Sequence, residues 1–501
     1  MTDVKCKTVL LANWFQTART SSLVGLALLV SAACAHPIAF AEQGQPDTMD
    51  VSSEKPRVFV LTDIGNEPDD AESFVRFLLY ANDFDIEGMA ATTSRHQRSV
   101  VRTTQLEERV RAYGQVLPNL RIHADGYPDM EYLQERTVSG RPEYGMVGVG
   151  EGKDTAASNL LIETVDREGD DRPVWVTIWG GALDLAQALY HVRETRTPEE
   201  VDAFVSKLRV YSISDQDDAG PWIRSEFRQI FWIVSLHAHR KYALSTWSGI
   251  SGEGMYKFDY GGPDSAIVSN EWLLEHVRKG PLGELYPEWE FIMEGDTPSF
   301  LGLINNGLNV PEHPGYGGWG GRYDRVAGYG EEFLALDNIY TDTSDWVIGQ
   351  SGEAYRSNQS TIWRWREAYQ NDFAGRINWT LADTFDKANH NPVLVLNGQA
   401  GKAPITLAAT PGETITLSAD GSLDPDGDVL SYNWFQYREA GAVNPMREAV
   451  IEQDAPDRIS VTMPETAGAY HFILEVKDDA DLPLFAYRRA IITVGEQSVG
   501  Q

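Results

Sequence analysis

Five short apolar runs, each followed by helical or turn signals, restrict this 501-residue chain more than any other feature. They are Val58–Leu61, Ile86–Thr93, Leu120–Ala124, Val174–Trp179 and Leu208–Ile213, predominantly apolar and with few charged residues. Runs of this kind are buried on both faces, which is the condition of strands in a parallel sheet. Between them lie amphipathic stretches such as Asp70–Tyr80, Thr104–Tyr113 and Ala156–Val165. The alternation predicts an α/β fold, a mostly parallel sheet with helices on both faces, over residues 57–388. In such sheets ligands gather beyond the carboxyl ends of the strands, so the residues after each run carry the functional information.

A change in pattern follows Ala388. Asn389-His390-Asn391-Pro392 reads as a linker, and residues 389–501 then show short strand signals at Ile405–Ala409, Thr414–Ala419, Leu430–Gln436, Ile459–Met463, Ala469–Lys477 and Ala490–Val494. Helical periodicity is absent, and the spacing predicts a small all-β, immunoglobulin-like sandwich. Its segment Asp420-Gly421-Ser422-Leu423-Asp424-Pro425-Asp426-Gly427-Asp428 resembles a loop of polycystic-kidney-disease-type and cadherin-like modules. That segment suits either a structural calcium at Asp424, Asp426 and Asp428 or an ordinary hydrogen-bonded Asp/Gly turn.

The amino terminus reads as an export signal. Lys5, Lys7 and Arg19 precede a small, apolar run from Leu23 to Ala35, and Ala39-Phe40-Ala41 supplies a small-x-small site, so cleavage is expected after Ala41. The expected location is periplasmic or extracellular, with a flexible leader over residues 42–56. Ser31 stands three before Cys34, where a lipoprotein signal usually has an aliphatic residue, which argues against lipid anchoring. The apolar run is too short to span a bilayer, so membrane insertion is not expected. Both cysteines, Cys6 and Cys34, fall in the removed segment, which leaves no thiol for a disulfide, a nucleophile or a metal. With 42 Lys+Arg against 74 Asp+Glu the net charge is −32, a field that repels phosphate backbones, so nucleic acid is not an expected partner. Neutral ligands and cations are favoured.

Acid is concentrated where a ligand is expected. Thr62-Asp63-Ile64-Gly65-Asn66-Glu67-Pro68-Asp69-Asp70 places three aspartates between the first strand and its helix. One of them could simply cap the helix. Three converging beside Gly65 repel one another unless a cation intervenes, and hard carboxylate oxygens select calcium or magnesium. Two further segments approach the same edge: the Trp179-Gly180-Gly181 turn, which frees the Trp179 carbonyl from the ladder, and Glu294-Gly295-Asp296-Thr297-Pro298-Ser299.

In this order, and with Trp319-Gly320-Gly321-Arg322-Tyr323 and Trp363-Arg364-Trp365-Arg366 further on, these segments resemble the secreted cellulose-binding, nucleoside-hydrolase-like proteins. That group is a branch of the calcium-dependent nucleoside hydrolase superfamily, and the resemblance runs over residues 57 to about 385 and the sandwich. It implies calcium as cofactor, held by the side chains of Asp63, Asp69, Asp70 and Asp296 and the carbonyl of Trp179. It also implies Asp63 as the catalytic general base, with Asp69 accepting a sugar hydroxyl.

Departures from true nucleoside hydrolases bear on the substrate. The first turn is two residues longer, bringing Asn66 and Glu67 beside the metal, and Ser94-Arg95-His96-Gln97 stands where a sugar-binding asparagine is usual, so His96 or Gln97 is expected to substitute. The paired asparagine and glutamate that hold a ribose hydroxymethyl group have no match; Asp217 is the nearest candidate. The metal cradle is kept and the nucleoside-specific shell is not. Indole rings stack on sugar faces, and Trp319, set between glycines, is the expected exposed contact. The resulting expectation is an exported calcium-dependent glycosyl hydrolase acting on a glycan fragment. A non-catalytic polysaccharide-binding protein and a nucleoside N-ribohydrolase are the alternatives; the oligomeric state is left open.

Overall fold

Burial of alternate residues on opposite sides of one strand organises the larger part of the chain. In β1 (Arg57–Thr62), Val58 and Val60 enter one hydrophobic cluster while Phe59 and Leu61 enter a second, on the other face of the sheet. A computed structural model describes residues 55–495, apart from 238, 253–261, 263–264, 327–337, 350–351 and 441–447. The expected export signal, its cleavage site, both cysteines and the leader as far as residue 54 lie outside the described residues.

Eight strands form the main sheet. Besides β1 they are β2 (Asp85–Ala91), β3 (Thr137–Ser139), β4 (Val174–Ile178), β5 (Leu208–Ser212), β6 (Phe231–Val234), β7 (Tyr323–Arg325) and β8 (Ile339–Asp342). Their spatial order is β3-β2-β1-β4-β5-β6-β8-β7, with every pairing parallel except the last. From β1 the chain moves outward to β2 and β3, then returns to β4 on the other side of β1. The crevice beyond the carboxyl ends of β1 and β4 is therefore the point where strand order reverses, the place such a sheet offers a ligand. Among the described residues no helix is long and apolar enough to cross a membrane.

Helix α1 (Asp69–Leu79) matches the expected helix to within a residue, and its apolar residues Phe74, Phe77 and Leu78 are fully buried. The expectation of a strand at Leu120–Ala124 is incorrect. Helix α2 runs from Thr103 to His123 with Pro118 inside it. Leu106, Val110, Tyr113, Leu117 and Leu120 form a buried stripe at helical spacing, and its burial outweighs the proline's missing donor.

The carboxy-terminal part consists of two sheets. One has the order Ile405–Ala409, Phe485–Val494, Gly468–Lys477, Ser431–Gln436, and the other Thr414–Ser418, Arg458–Thr462, Val450–Ala455. Leu417, Ile459, Val461, Phe472 and Ile492 fill the space between them. In the loop before Ser431, the Asp424 Oδ1 accepts from the backbone N–H groups of Asp426, Gly427 and Asp428, a hydrogen-bonded Asp turn, and Asp426 pairs with His390 at 3.0 Å. The four-stranded sheet also has an outer apolar face. Its Ile473, Phe485 and Tyr487 join the cluster containing Trp319, Trp365, Tyr369 and Phe373, so the sandwich shares a core with the α/β part.

Arg489 fixes that junction. Fully buried, its guanidinium donates to the carbonyls of Leu308 (2.8 Å), Tyr316 (3.1 Å) and Gly317 (2.8 Å). Three carbonyls, two of them buried, lose their donor in Arg489→Met, which is expected to cost about 3 kcal/mol. Chemical denaturation should show one transition for both parts in wild type and variant; two resolved transitions would contradict a shared core.

Candidate functional site

At the β1/β4 switch point lies a cavity of about 340 Å³. Asp63, Asn66, Glu67, Asp69, Asp70, His96, Trp179 and Asp296 line it, together with Ser214, Gln216, Tyr242, Trp247, Phe291 and Ile292. Each group reaches it for a local reason. Asp63 is the first residue past β1, and Asp69 and Asp70 open α1, whose amino end favours negative charge. The side chain of Asp70 turns back to accept from the Thr62 hydroxyl, so it does not cap the helix. Asp296 sits in the turn before Pro298–Leu301, where its carbonyl accepts from the N–H and hydroxyl of Ser299.

Carboxylate oxygens of Asp69, Asp70 and Asp296 lie within 4.8 Å of one another. Asp63 shares the cavity but stands outside that group; its Oδ2 accepts from the Ser94 hydroxyl at 2.5 Å. Gly180 makes room for it: a Cβ there would stand 2.6 Å from Asp63 Oδ1. Gly65 holds φ +92°, which lets the acidic turn double back beneath α2.

Burial first, and mutual repulsion second, raise these groups. Asp69 is pushed up to about 7 by burial and then by Glu67 and Asp63. Burial raises Asp63 to about 6 against the lowering effect of its Ser94 hydrogen bond. Asp70 and Asp296 are held well above the usual carboxylate range by burial and by their acidic neighbours. Asp296 Oδ2 is buried and has no hydrogen-bond partner among the described groups. An all-oxygen donor set, crowded and under-satisfied, fits a hard divalent cation such as calcium. The Trp179 carbonyl, expected to be a free donor, accepts from Gln216 Nε2 at 2.6 Å.

A buried ion pair holds the two acidic segments opposite each other. Arg76, in α1, meets Glu294 at 2.6 Å, and Glu294 also accepts from the hydroxyls of Tyr286 (2.7 Å) and Thr297 (2.8 Å). Glu294 adopts φ +52°, and its N–H donates to Glu72 Oε2 at 2.9 Å. Asp296, two residues on, is thereby registered against Asp69 and Asp70.

Three expected ligand contacts are corrected. Gln97 is buried; its amide donates to the Asp63 carbonyl at 3.0 Å and its Oε1 accepts from Arg102 at 3.1 Å, so the side chain braces the turn. Asp217 is likewise buried and accepts from the Ala219 N–H at 3.0 Å, with its carboxylate packed on Gly181. Trp319 is only 2% exposed, edge-on to Tyr369 and Tyr487. Neighbouring glycines make its sequence context look open, but the helix Arg366–Leu381 and the sandwich cover it. Arg322 braces its loop through Asp345 at 2.7 Å. His237 Nε2 lies 3.1 Å from the Leu244 carbonyl, and the side chain of His239 is outside the described residues. Sequence reasoning missed Tyr242 and did not place Trp247 in the cavity; it reached the segments carrying Phe291, Ser214 and Gln216 without singling out those side chains.

The raised carboxylates set the sign of two expected outcomes. Their folded values lie above the usual 3.8, so the cation-free fold takes up protons that the unfolded chain does not. Without a cation, stability is then expected to fall as pH rises from about 4 through 7, and cation binding to strengthen over the same range. Thermal melting at pH 5 and pH 8, with chelator or calcium, checks this: at about 100 times its Kd the ion adds roughly 2.7 kcal/mol, chiefly at pH 8. A second outcome concerns Gly180→Ala, which pushes a methyl against Asp63; it is expected to fold, to lose about 1–3 kcal/mol and to shrink the calcium-induced shift in melting temperature.

Comparison with known proteins bears on this site. The family model described as "Cellulose-binding Sde182, nucleoside hydrolase-like domain" matches residues 57–323, and "Cellulose-binding protein Sde0182, C-terminal domain" matches 414–494. A solved nucleoside hydrolase-related protein from Saccharophagus degradans, described as associated with carbohydrate metabolism, is 37% identical; the match covers 88% of this chain and 100% of that one, with a TM-score of 0.74. The effector protein XOO4466 is 10% identical over 66% of this chain and 95% of its own, with a TM-score of 0.30. A PKD domain from the KIAA 1837 protein is 22% identical over 21% of this chain and 99% of its own, with a TM-score of 0.15. No curated protein matches. With its nucleoside-hydrolase-like sheet and its carboxy-terminal sandwich both matched, the chain belongs to the cellulose-binding, nucleoside-hydrolase-like family.

Proposed function

We propose that this protein is an exported, calcium-dependent glycosyl hydrolase that acts on a carbohydrate in the β1/β4 cavity. The observation that carries the reading is the cluster of Asp69, Asp70 and Asp296 within 4.8 Å of one another, beside Asp63 and facing a cavity large enough for a sugar unit. Calcium, when bound, supplies a polarised water and an anchor for neighbouring sugar hydroxyls. Asp69, Asp70 and Asp296 would hold it by side chain, joined by Asp63 and the Trp179 carbonyl.

As water adds to the anomeric carbon, the bond to the departing oxygen breaks and that oxygen takes its proton from solvent, while the chain's own groups act on the water and on the developing charge. Asp63 takes a proton from the attacking water at its carboxylate, and the Ser94 hydroxyl holds that carboxylate in one orientation. The surrounding acids stabilise positive charge on an oxocarbenium-like sugar carbon. Trp247, Tyr242 and Phe291 on the cavity wall offer rings to the CH faces of the sugar, while Asn66, Glu67 and His96 at the same cavity are placed for its hydroxyls. Export rests on the amino-terminal signal, and the mature chain is expected to begin at Glu42.

The family description favours a second reading, in which the same cradle binds polysaccharide without cleaving it. Mature protein incubated with a panel of oligosaccharides and nucleosides, with and without chelator, separates the two. Sugar release that chelator abolishes and that Asp63→Asn lowers by about 100-fold or more is the expected result. Chelator-sensitive binding without any turnover would establish the binding reading instead, and base release from inosine or uridine would overturn the choice of substrate.

A further inference from the structure

The loop that brings His96 to the acidic cavity is basic. Residues 94–102, Ser-Arg-His-Gln-Arg-Ser-Val-Val-Arg, contain three arginines and a histidine and no acid, in a chain with 74 Asp+Glu to 42 Lys+Arg. Elsewhere several arginines pair with carboxylates, Arg141 with Glu143, Arg172 with Asp170, Arg196 with Asp166 and Arg224 with Asp215, while the exposed Arg228 and Arg458 form no ion pair among the described residues. Arg95 and Arg98 are exposed and form no ion pair with any described carboxylate. Arg98 donates from Nε to the Arg95 carbonyl at 3.1 Å and lies 4.4 Å over the Tyr144 ring.

This loop is built into the site. The Ser94 hydroxyl that donates to Asp63 also accepts from the N–H groups of His96 (3.0 Å) and Gln97 (3.1 Å), and the Gln97 amide holds the Asp63 carbonyl. The loop carrying Arg95 is thus bonded to the residue at the centre of the cavity, and its next residue, His96, lines the cavity. Arg95 stands close enough to the cavity-lining Tyr242 to pull its phenol down, against the upward effects of burial, Glu67 and Asp63.

A neutral sugar offers these guanidinium groups hydroxyl acceptors but no charge to match their own. An anionic substituent does, because guanidinium and carboxylate or sulfate oxygens match in charge and in fork geometry. The whole-chain field repels anions, but it is screened beyond about 8 Å in physiological salt, so the local loop decides what dwells there. We infer that the sugar held in this cavity is acidic, with its carboxylate or sulfate received by Arg95 and Arg98 on this loop while its hydroxyls face the acidic floor. The inference rests on the carbohydrate reading of the cavity proposed above.

The test is calorimetric titration of the calcium-loaded mature protein with three chains of equal length: tetragalacturonate, a sulfated tetrasaccharide and cellotetraose. At least one acidic chain is expected to bind about tenfold or more tightly than cellotetraose, with the advantage shrinking as salt rises from about 0.15 M to 1 M. The preferred acidic chain identifies the anion. The double variant Arg95→Gln/Arg98→Gln, with an unchanged melting temperature as its folding control, is expected to bring the preference to within about twofold. Equal or tighter binding of cellotetraose overturns this inference and leaves the carbohydrate reading intact, as does a preference that survives in the double variant. Failure of all three chains to bind overturns both.

Discussion

Like charges buried together at the end of β1 are the constraint on which the rest of this structure turns. Asp63, Asp69, Asp70 and Asp296 face one cavity, and burial raises all four. Left to itself such a cluster would spread apart or stay protonated. The surrounding fold prevents the first. The buried Arg76–Glu294 pair ties α1 to the segment carrying Asp296, and Ser94 and Gln97 tie the loop after β2 to Asp63. The backbone of Gly180 closes against the Asp63 carboxylate where any side chain would intrude. Stability is thus spent on holding acids together, the arrangement expected of a binding or catalytic centre.

The sandwich contributes more than an appended module would. Its four-stranded sheet buries Tyr487 and Phe485 against Trp319, Trp365 and Phe373, and Arg489 fills the donor needs of three carbonyls in the α/β part. A second shared polar centre lies at Asp345, where Arg322 and Arg364 from the α/β side meet the Tyr437 hydroxyl from the sandwich side. A surface this apolar on both sides would be costly to expose, so the two parts are expected to persist as one body.

Much of the site was legible because acids directly after buried strands have few structural explanations. Asp63, Asp69, Asp70 and Asp296 stood out for that reason, and so did the turn at Trp179. What misled was proximity in sequence. Gln97 and Asp217 lie in the right loops, yet both side chains are buried outside the cavity, Gln97 against the Asp63 carbonyl and Asp217 against the Ala219 N–H. Trp319 looked exposed among its glycines, but Tyr369 and Tyr487, 50 or more residues away in sequence, cover it. Conversely, Tyr242, Trp247 and Phe291 reach the cavity from segments with no regular period, and only the tertiary fold brings them there. Secondary structure failed for similar reasons. Pro118 disguised the second half of α2, and the exposed edge strand Val450–Ala455 lacks the apolar alternation by which strands are read.

What remains decisive is whether the acid cluster holds a cation beneath a sugar. A crystal structure of the mature protein grown with calcium and a bound oligosaccharide tests it most directly. One ion is expected, with oxygens of Asp69, Asp70 and Asp296 at about 2.3–2.6 Å and sugar hydroxyls completing its shell. A structure in which the carboxylates remain protonated and bonded to one another, with the sugar bound elsewhere, would contradict it.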